Sequence, residues 1–203
     1  MEHFQFLWRQ GGETLNRQYE TNRLILRTLD EEDAGKVLQF YLRNREFLKE
    51  WETERTEDYF TLDYQKLLIQ KEQIIMEHGG SLRLWIFKKE DPETAIGSLG
   101  FDNIVMGCFR SCFMGYKIDK DEINKGYITE AARKGIEIMF DQFGLHRIEA
   151  NIMPRNLRSL RVAEKLGFHN EGLAIKYLKI NGKWEGHIQM VLLNEKLERE
   201  GRY

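Results

Sequence analysis

The residues best placed to do chemistry lie between Met114 and Phe168. Met114 to Ile118 reads as a strand, Asp119 to Lys125 as a polar turn, and a long helix opens at Gly126. Backbone N–H groups at a helix start have no partner within the helix and carry positive partial charge. Asn124, Lys125, Gly126, Tyr127, Ile128 and Thr129 are therefore a candidate anion cradle. Gly126 lets the backbone come close to a ligand, and Thr129 adds a hydroxyl. Taken alone, the same residues also suit an ordinary strand–helix connection. A second set follows. His146 to Met153 is a strand, Pro154 ends it, and Asn156 opens a helix as an N-capping residue with Ser159 three positions on. Asn156 and Ser159 are either local caps or groups that flank a ligand lying between the two strands.

An acid–base reaction at this place needs a proton acceptor. Glu149 and Asn151 share one face of their strand by strict alternation, and Glu52 stands just after Trp51. Either carboxylate is a candidate base, or a solvated surface charge. No metal site is expected: the cysteines are Cys108 and Cys112 alone, and His78 and His146 are distant in sequence. Two cysteines make no disulfide framework, so both are read as free thiols.

The elements that must position these groups follow from periodicity. Arg23 to Arg27 alternates like a half-buried strand. Asp30 caps a helix whose apolar positions are Ala34, Val37, Leu38, Tyr41 and Leu42, and Glu46 to Trp51 reads as a short second helix. Leu62 to Glu77 is a third, stopped by Gly79. Strands follow at Leu82 to Phe87, Ala95 to Val105 and Cys112 to Ile118, with a turn at Met106 to Ser111. Ile128 to Phe143 is a strong amphipathic helix, and Asn156 to Leu166 is a shorter one. Leu173 to Ile180 and His187 to Leu193 flank Asn181-Gly182, a hairpin signal. This order implies one mixed sheet with helices on both faces. Met1 to Glu20 stands apart as an arm or extra strand, with Phe4 to Trp8 apolar and Gly11-Gly12 breaking it; residues 21–203 are read as one domain.

Composition narrows the function. The 203 residues are 41% hydrophobic and 32% charged, enough for a core and a wet surface. The net charge of -2, from 31 basic and 33 acidic residues, argues against direct nucleic-acid binding. No apolar run approaches the roughly 18 residues of a membrane span. Met1 to Gln10 lacks the pattern of a secretory signal, so the expected location is cytoplasmic and away from membranes.

Several motifs, in order and spacing, resemble the GNAT acetyltransferase signature. They are Gly115-Tyr116-Lys117-Ile118, Asn124 through Ala131, His146 through Ala150, Asn156-Leu157-Arg158-Ser159, and Glu164 through Phe168. Asn44 through Glu52, Met153-Pro154, Tyr177-Leu178 and Asn181 through Trp184 are similar to the RimJ/RimL type, which acetylates N-terminal amines of ribosomal proteins. The resemblance spans about Thr21 to Asn194. It implies an α+β, GNAT-like fold: a mixed, mostly antiparallel central sheet of about seven strands with helices on both faces. It also implies acetyl-CoA as co-substrate. Asn124 through Thr129 would hold its pyrophosphate, the strand through Lys117 and Ile118 would pair with the pantetheine arm, Asn156 would hydrogen-bond that arm, and Ser159 would sit near the thioester sulfur. Two positions depart from the family: Asp121 stands where Gln or Arg is usual, and Asn124 where the first glycine is usual. Asn tolerates the left-handed conformation.

The implied reaction is direct transfer of acetyl to a primary amine, with Ser159 as the acid for the thiolate and Glu52 or Glu149 as base. An α-amine has an unperturbed pKa near 7.7–8.0 and a lysine near 10.4, so a peptide N-terminus needs less help. Glu50, Glu52, Glu54, Glu57 and Asp58 would attract a basic protein tail. A small amine acceptor (polyamine, antibiotic or amino acid) and a degenerate CoA-binding module are the alternatives. Arg158 and Arg161 are candidates for the CoA 3′-phosphate. Tyr177 and His187 are read chiefly as packing residues.

Overall fold

The computed structural model describes residues 17–199. The apolar stretch Phe4 to Trp8 and most of the expected arm lie outside the described residues. The strands are β1 (Gln18–Glu20), β2 (Leu24–Arg27), β3 (Ser81–Lys88), β4 (Asp91–Val105), β5 (Ser111–Ile118), β6 (Arg147–Ile152), β7 (His169–Ile180) and β8 (Lys183–Leu193). The helices are α1 (Ala34–Lys49), α2 (Leu62–Glu77), α3 (Tyr127–Asp141), α4 (Leu157–Lys165) and α5 (Glu195–Arg199). The strands form one sheet in the order β1-β2-β3-β4-β5-β6-β8-β7. The expected sheet of about seven strands is present with an eighth, Gln18–Glu20, paired with β2 at its edge. Every pairing is antiparallel except β5 with β6.

Alternation along β3 divides the core in two. Leu82, Leu84 and Ile86 face one way and join Ile128, Ala131, Ala132 and Met139 of α3 and Ala163 of α4. Trp85 and Phe87 face the other way, against Val37, Phe40, Tyr41 and Leu48 of α1 and Ile69 of α2. Phe40 meets Trp85 edge-on at 5.5 Å between centroids. Helix α3 comes close to the sheet at Gly135, where a Cβ would lie 2.4 Å from Leu99 Cδ2.

Two local expectations need correction. Glu46 to Trp51 is not a separate helix: α1 runs unbroken to Lys49, since no glycine or proline interrupts Leu42 to Lys49. The buried face of α1 is also rotated. Phe40 is buried and Leu42 is 45% exposed, because Trp85 and Phe87 meet the helix on the Phe40 side.

Candidate active site

The feature that organises the site is a gap in the sheet. Strands β5 and β6 pair in parallel only at Ser111 with Arg147, Cys112 with Ile148 and Phe113 with Glu149. Past these residues β5 stays paired to β4 up to Ile118, and β6 stays paired to β8 up to Ile152. The strands thus part while each keeps its other neighbour, leaving a wedge whose walls carry unpaired backbone groups facing inward.

The turn at the end of β5 is held from α1. Asp119, 3% exposed, accepts from Arg43 Nε at 2.8 Å, from Asn44 Nδ2 at 3.0 Å and from the Asp121 amide at 3.0 Å. Asn44 Oδ1 accepts from the Lys120 amide at 2.9 Å. Burial would raise the Asp119 pKa, but these donors outweigh it and hold the carboxyl below its usual range. Asp121 itself is exposed. Beyond it Asn124 takes φ 61 and Gly126 φ 81, so the left-handed conformation expected of Asn124 is present. Gly126 is the N-cap of α3, and the amides of Tyr127, Ile128 and Thr129 form that helix's open first turn. Glu130 does not crowd this turn: it accepts from Thr21 Oγ1 at 2.6 Å and from Arg23 Nε at 2.7 Å. Arg23 also donates to the Lys125 carbonyl at 3.0 Å. The Lys125 ammonium sits on Glu122 at 2.7 Å, so the loop's pull on an anion comes chiefly from its backbone.

On the α3/α4 side of the wedge, Asn156 Oδ1 caps α4 by accepting from the Ser159 amide at 3.1 Å. The Ser159 hydroxyl is therefore free of capping and donates to Tyr116 OH at 2.8 Å, while Tyr116 OH donates to the Ser159 carbonyl at 3.0 Å. Burial pushes the Tyr116 phenol up to about 12, against the bond from Ser159, so it stays protonated at neutral pH. Sequence reasoning passed over Tyr116; the one signal was its neighbour relation to Gly115 in the motif.

The next residue of β5 points to the opposite face. Lys117 Nζ donates to Glu52 and to Tyr41 OH at 3.0 Å. Arg55 reaches the other Glu52 oxygen at 3.4 Å. Burial pushes Glu52 up, but Lys117 first and Arg55 second outweigh it and hold the carboxyl below its usual range. Burial, with Glu52 beside it, pushes the Tyr41 phenol up to about 12. A cleft runs above these groups, lined by Tyr41, Arg45, Glu52, Arg55, Tyr59 and Asn181. The expected acidic patch is therefore partly neutralised: Glu52 is paired twice, and Glu57 is paired with Arg45. On β6, Glu149 is 9% exposed rather than solvated, and it accepts from Arg147 at 2.9 Å and Asn151 at 3.0 Å. Trp51 lies under Arg155, whose guanidinium is 5.4 Å from the ring centroid. Arg158 and Arg161 are exposed on α4. Among the described residues no three histidine, cysteine or carboxylate side chains gather as a metal site.

The acetyltransferase (GNAT) domain model matches residues 23–169. The chain belongs to the GNAT family. The Bacillus subtilis (strain 168) protein named Probable N-acetyltransferase YjcK is 39% identical over 171 residues, covering 84% of this chain and 94% of that protein. The ribosomal protein uS5-alanine N-acetyltransferase of Escherichia coli (strain K12) is 34% identical over 172 residues, covering 85% and 88%. Among solved structures, the ribosomal-protein-S5-alanine acetyltransferase of Vibrio fischeri superposes with a TM-score of 0.85 at 31% identity, covering 90% of this chain and 99% of that one. Mycobacterium smegmatis RimJ in complex with CoA-disulfide gives 0.80 at 26% identity, with 88% and 90% covered. The GNAT fold thus carries an acetyl-CoA-dependent N-acetyltransferase here, with acetyl-CoA as co-substrate. The wedge and the open first turn of α3 fit such a molecule, one as an unpaired strand wall for an extended amide chain, the other as a cradle for phosphates. No described helix is long and apolar enough to cross a membrane.

Proposed function

We propose that this GNAT enzyme acetylates the N-terminal α-amine of a ribosomal protein in the cytoplasm. The observation that carries the reading is the state of the carboxylates on the acceptor face. Glu52 is tied to Lys117 and Arg55, and Glu149 to Arg147 and Asn151, so neither is an unengaged strong base. That arrangement suits an amine already partly neutral near pH 7, which a peptide α-amine is and a lysine side chain is not. The 34% identity to the uS5-alanine enzyme supports the same class of acceptor.

In this reading the amides of Asn124 through Thr129 hold the pyrophosphate, the β5 backbone at Lys117 and Ile118 pairs with the pantetheine arm, and Asn156 faces that arm. The amine nitrogen bonds to the acetyl carbon, the C–S bond breaks, and the surplus amine proton passes to solvent. Ser159 Oγ gives its proton to the departing sulfur, and a proton from solvent, replacing the one the amine released, returns to it through Tyr116, so both hydroxyls end as they began. Glu52, kept ionised, fixes Lys117 at the acceptor mouth rather than abstracting a proton. The test is intact-mass analysis after incubation with acetyl-CoA and basic N-terminal peptides. Transfer is expected to the free peptide and lost on blocking its N-terminus; equal transfer to the blocked peptide, or transfer only to a small polyamine, refutes the ribosomal-protein reading.

A further inference from the structure

The acceptor face carries a second polar group, apart from the Lys117–Glu52 pair. Cross-strand register places it. Phe113 lies beside Glu149, and extending that register by two residues would set Asn151 opposite Gly115, where the strands have already parted. A Cβ on Gly115 would meet no atom within 4 Å, so the space beside Gly115 is open. Asn151 Nδ2 is fully used: it donates to Glu149 Oε1 at 3.0 Å and to Tyr177 OH at 3.2 Å. Its carbonyl oxygen, Oδ1, is buried with no hydrogen-bond partner. A buried unpaired acceptor carries a desolvation cost and calls for an explanation.

Strand β7, beyond β8, is bent so as to complete this group. Between the pairs Ala174 with His187 and Leu178 with Glu185, β7 spends three residues where β8 spends one. Inside that bulge Lys176 takes φ 51, a conformation a lysine rarely adopts. A bulge re-aims side chains, and here Tyr177 turns inward onto Asn151 rather than packing in the core, as its sequence context implied. With its amide nitrogen spent on Glu149 and Tyr177, Asn151 is left with an unmatched acceptor near the parted strands, which calls for a hydrogen-bond donor.

We infer that Asn151 Oδ1, held by Glu149 and Tyr177, is the hydrogen-bond acceptor that receives an N–H of the incoming primary amine and aims its nitrogen into the wedge. The inference rests on the enzyme acetylating an amine, and it names the subsite that takes that amine. Asn151 is a binding residue here, and Tyr177 a positioning residue.

The test uses whichever amine the wild-type enzyme acetylates, so it survives a failure of the ribosomal-protein reading: if that amine is a polyamine, the acceptor class is wrong and the subsite is still measured. Asn151→Leu keeps the size and removes the acceptor. A rise in amine KM of about five- to tenfold is expected, with CoA affinity by calorimetry unchanged, since a hydrogen bond between neutral groups is worth up to about that factor. An amine KM within twofold of wild type in an Asn151→Leu protein that still binds CoA overturns the inference. Should that variant fail to bind CoA, Tyr177→Phe decides. A rise in amine KM of about threefold, at unchanged kcat and CoA affinity, supports the subsite; no rise overturns it.

Discussion

The two faces of the wedge solve their problems with different chemistry. On the α3/α4 side the groups are neutral hydroxyls: Ser159 and Tyr116 bond to each other, and Asn156 spends its own oxygen on the cap of α4. On the α1/α2 side the groups are charged, and each charge is matched, Glu52 by Lys117 and Arg55, Glu149 by Arg147. Yet Tyr116 and Lys117 are adjacent residues of one strand, about 3.8 Å apart at Cα. Strand alternation alone therefore separates a proton-donating compartment from an ion-paired one. A hydroxyl that gives one proton and takes another in the same step ends neutral, whereas a paired carboxylate is costly to protonate. The neutral face suits chemistry at sulfur; the charged face suits holding an amine.

The comparison breaks first at Ser159. Ser159→Ala should lower kcat by roughly a hundredfold, within the range for a lost general acid, while CoA affinity stays within twofold. Its hydroxyl caps nothing, so the melting temperature should hardly move; a variant with normal turnover would remove the neutral face from the reaction. Gly126→Asp comes next. It forces a side chain into φ 81 and adds negative charge at the first turn of α3, and CoA affinity by calorimetry should fall about tenfold or more.

Lys117→Met sharpens the charged face. It removes the cation that most offsets burial at Glu52, so the Glu52 pKa in the folded protein rises. In the wild type that pKa lies below its unfolded value of 4.5, so the stabilisation is present above 4.5 and is lost as pH falls through the folded value. The melting-temperature gap between wild type and variant should be full at pH 7 and close below 4.5; a gap independent of pH would mean the pair contributes no linkage. Asn156→Ala removes a cap and should cost about 1 kcal/mol in chemical denaturation. The smallest effect concerns salt. With Glu52 and Glu57 already paired, the rate with a basic peptide should fall only a few-fold between low and physiological salt.

What the sequence made legible is what is local. Gly126, Asn124 and Asn156 announce themselves through backbone conformation and capping, which depend on near neighbours, and the alternation that puts Glu149 beside Asn151 is visible in six residues. The groups that escaped are those fixed at a distance. Lys117 meets a carboxylate 65 positions away, and Tyr116 meets a serine 43 positions on. Phe40 rather than Leu42 enters the core because of aromatic residues on β3. The β7 bulge that turns Tyr177 inward exists only against β8. An unbroken α1 was missed for a different reason: its last turns carry charged residues on both sides, which obscure the apolar period.

The parting of β5 and β6 has one more consequence. A sheet margin with unpaired backbone groups is normally a hazard, because a strand from another molecule can add to it and chains can polymerise. Here the margin lies inside the sheet. It is closed at its narrow end by the pairs from Ser111 to Phe113 and walled on both sides by strands that are themselves paired. Only about five residues of β5 border it, room for a short extended molecule and too little for a second sheet to dock. The enzyme keeps hydrogen-bonding capacity available in its middle without offering neighbouring copies a template for aggregation.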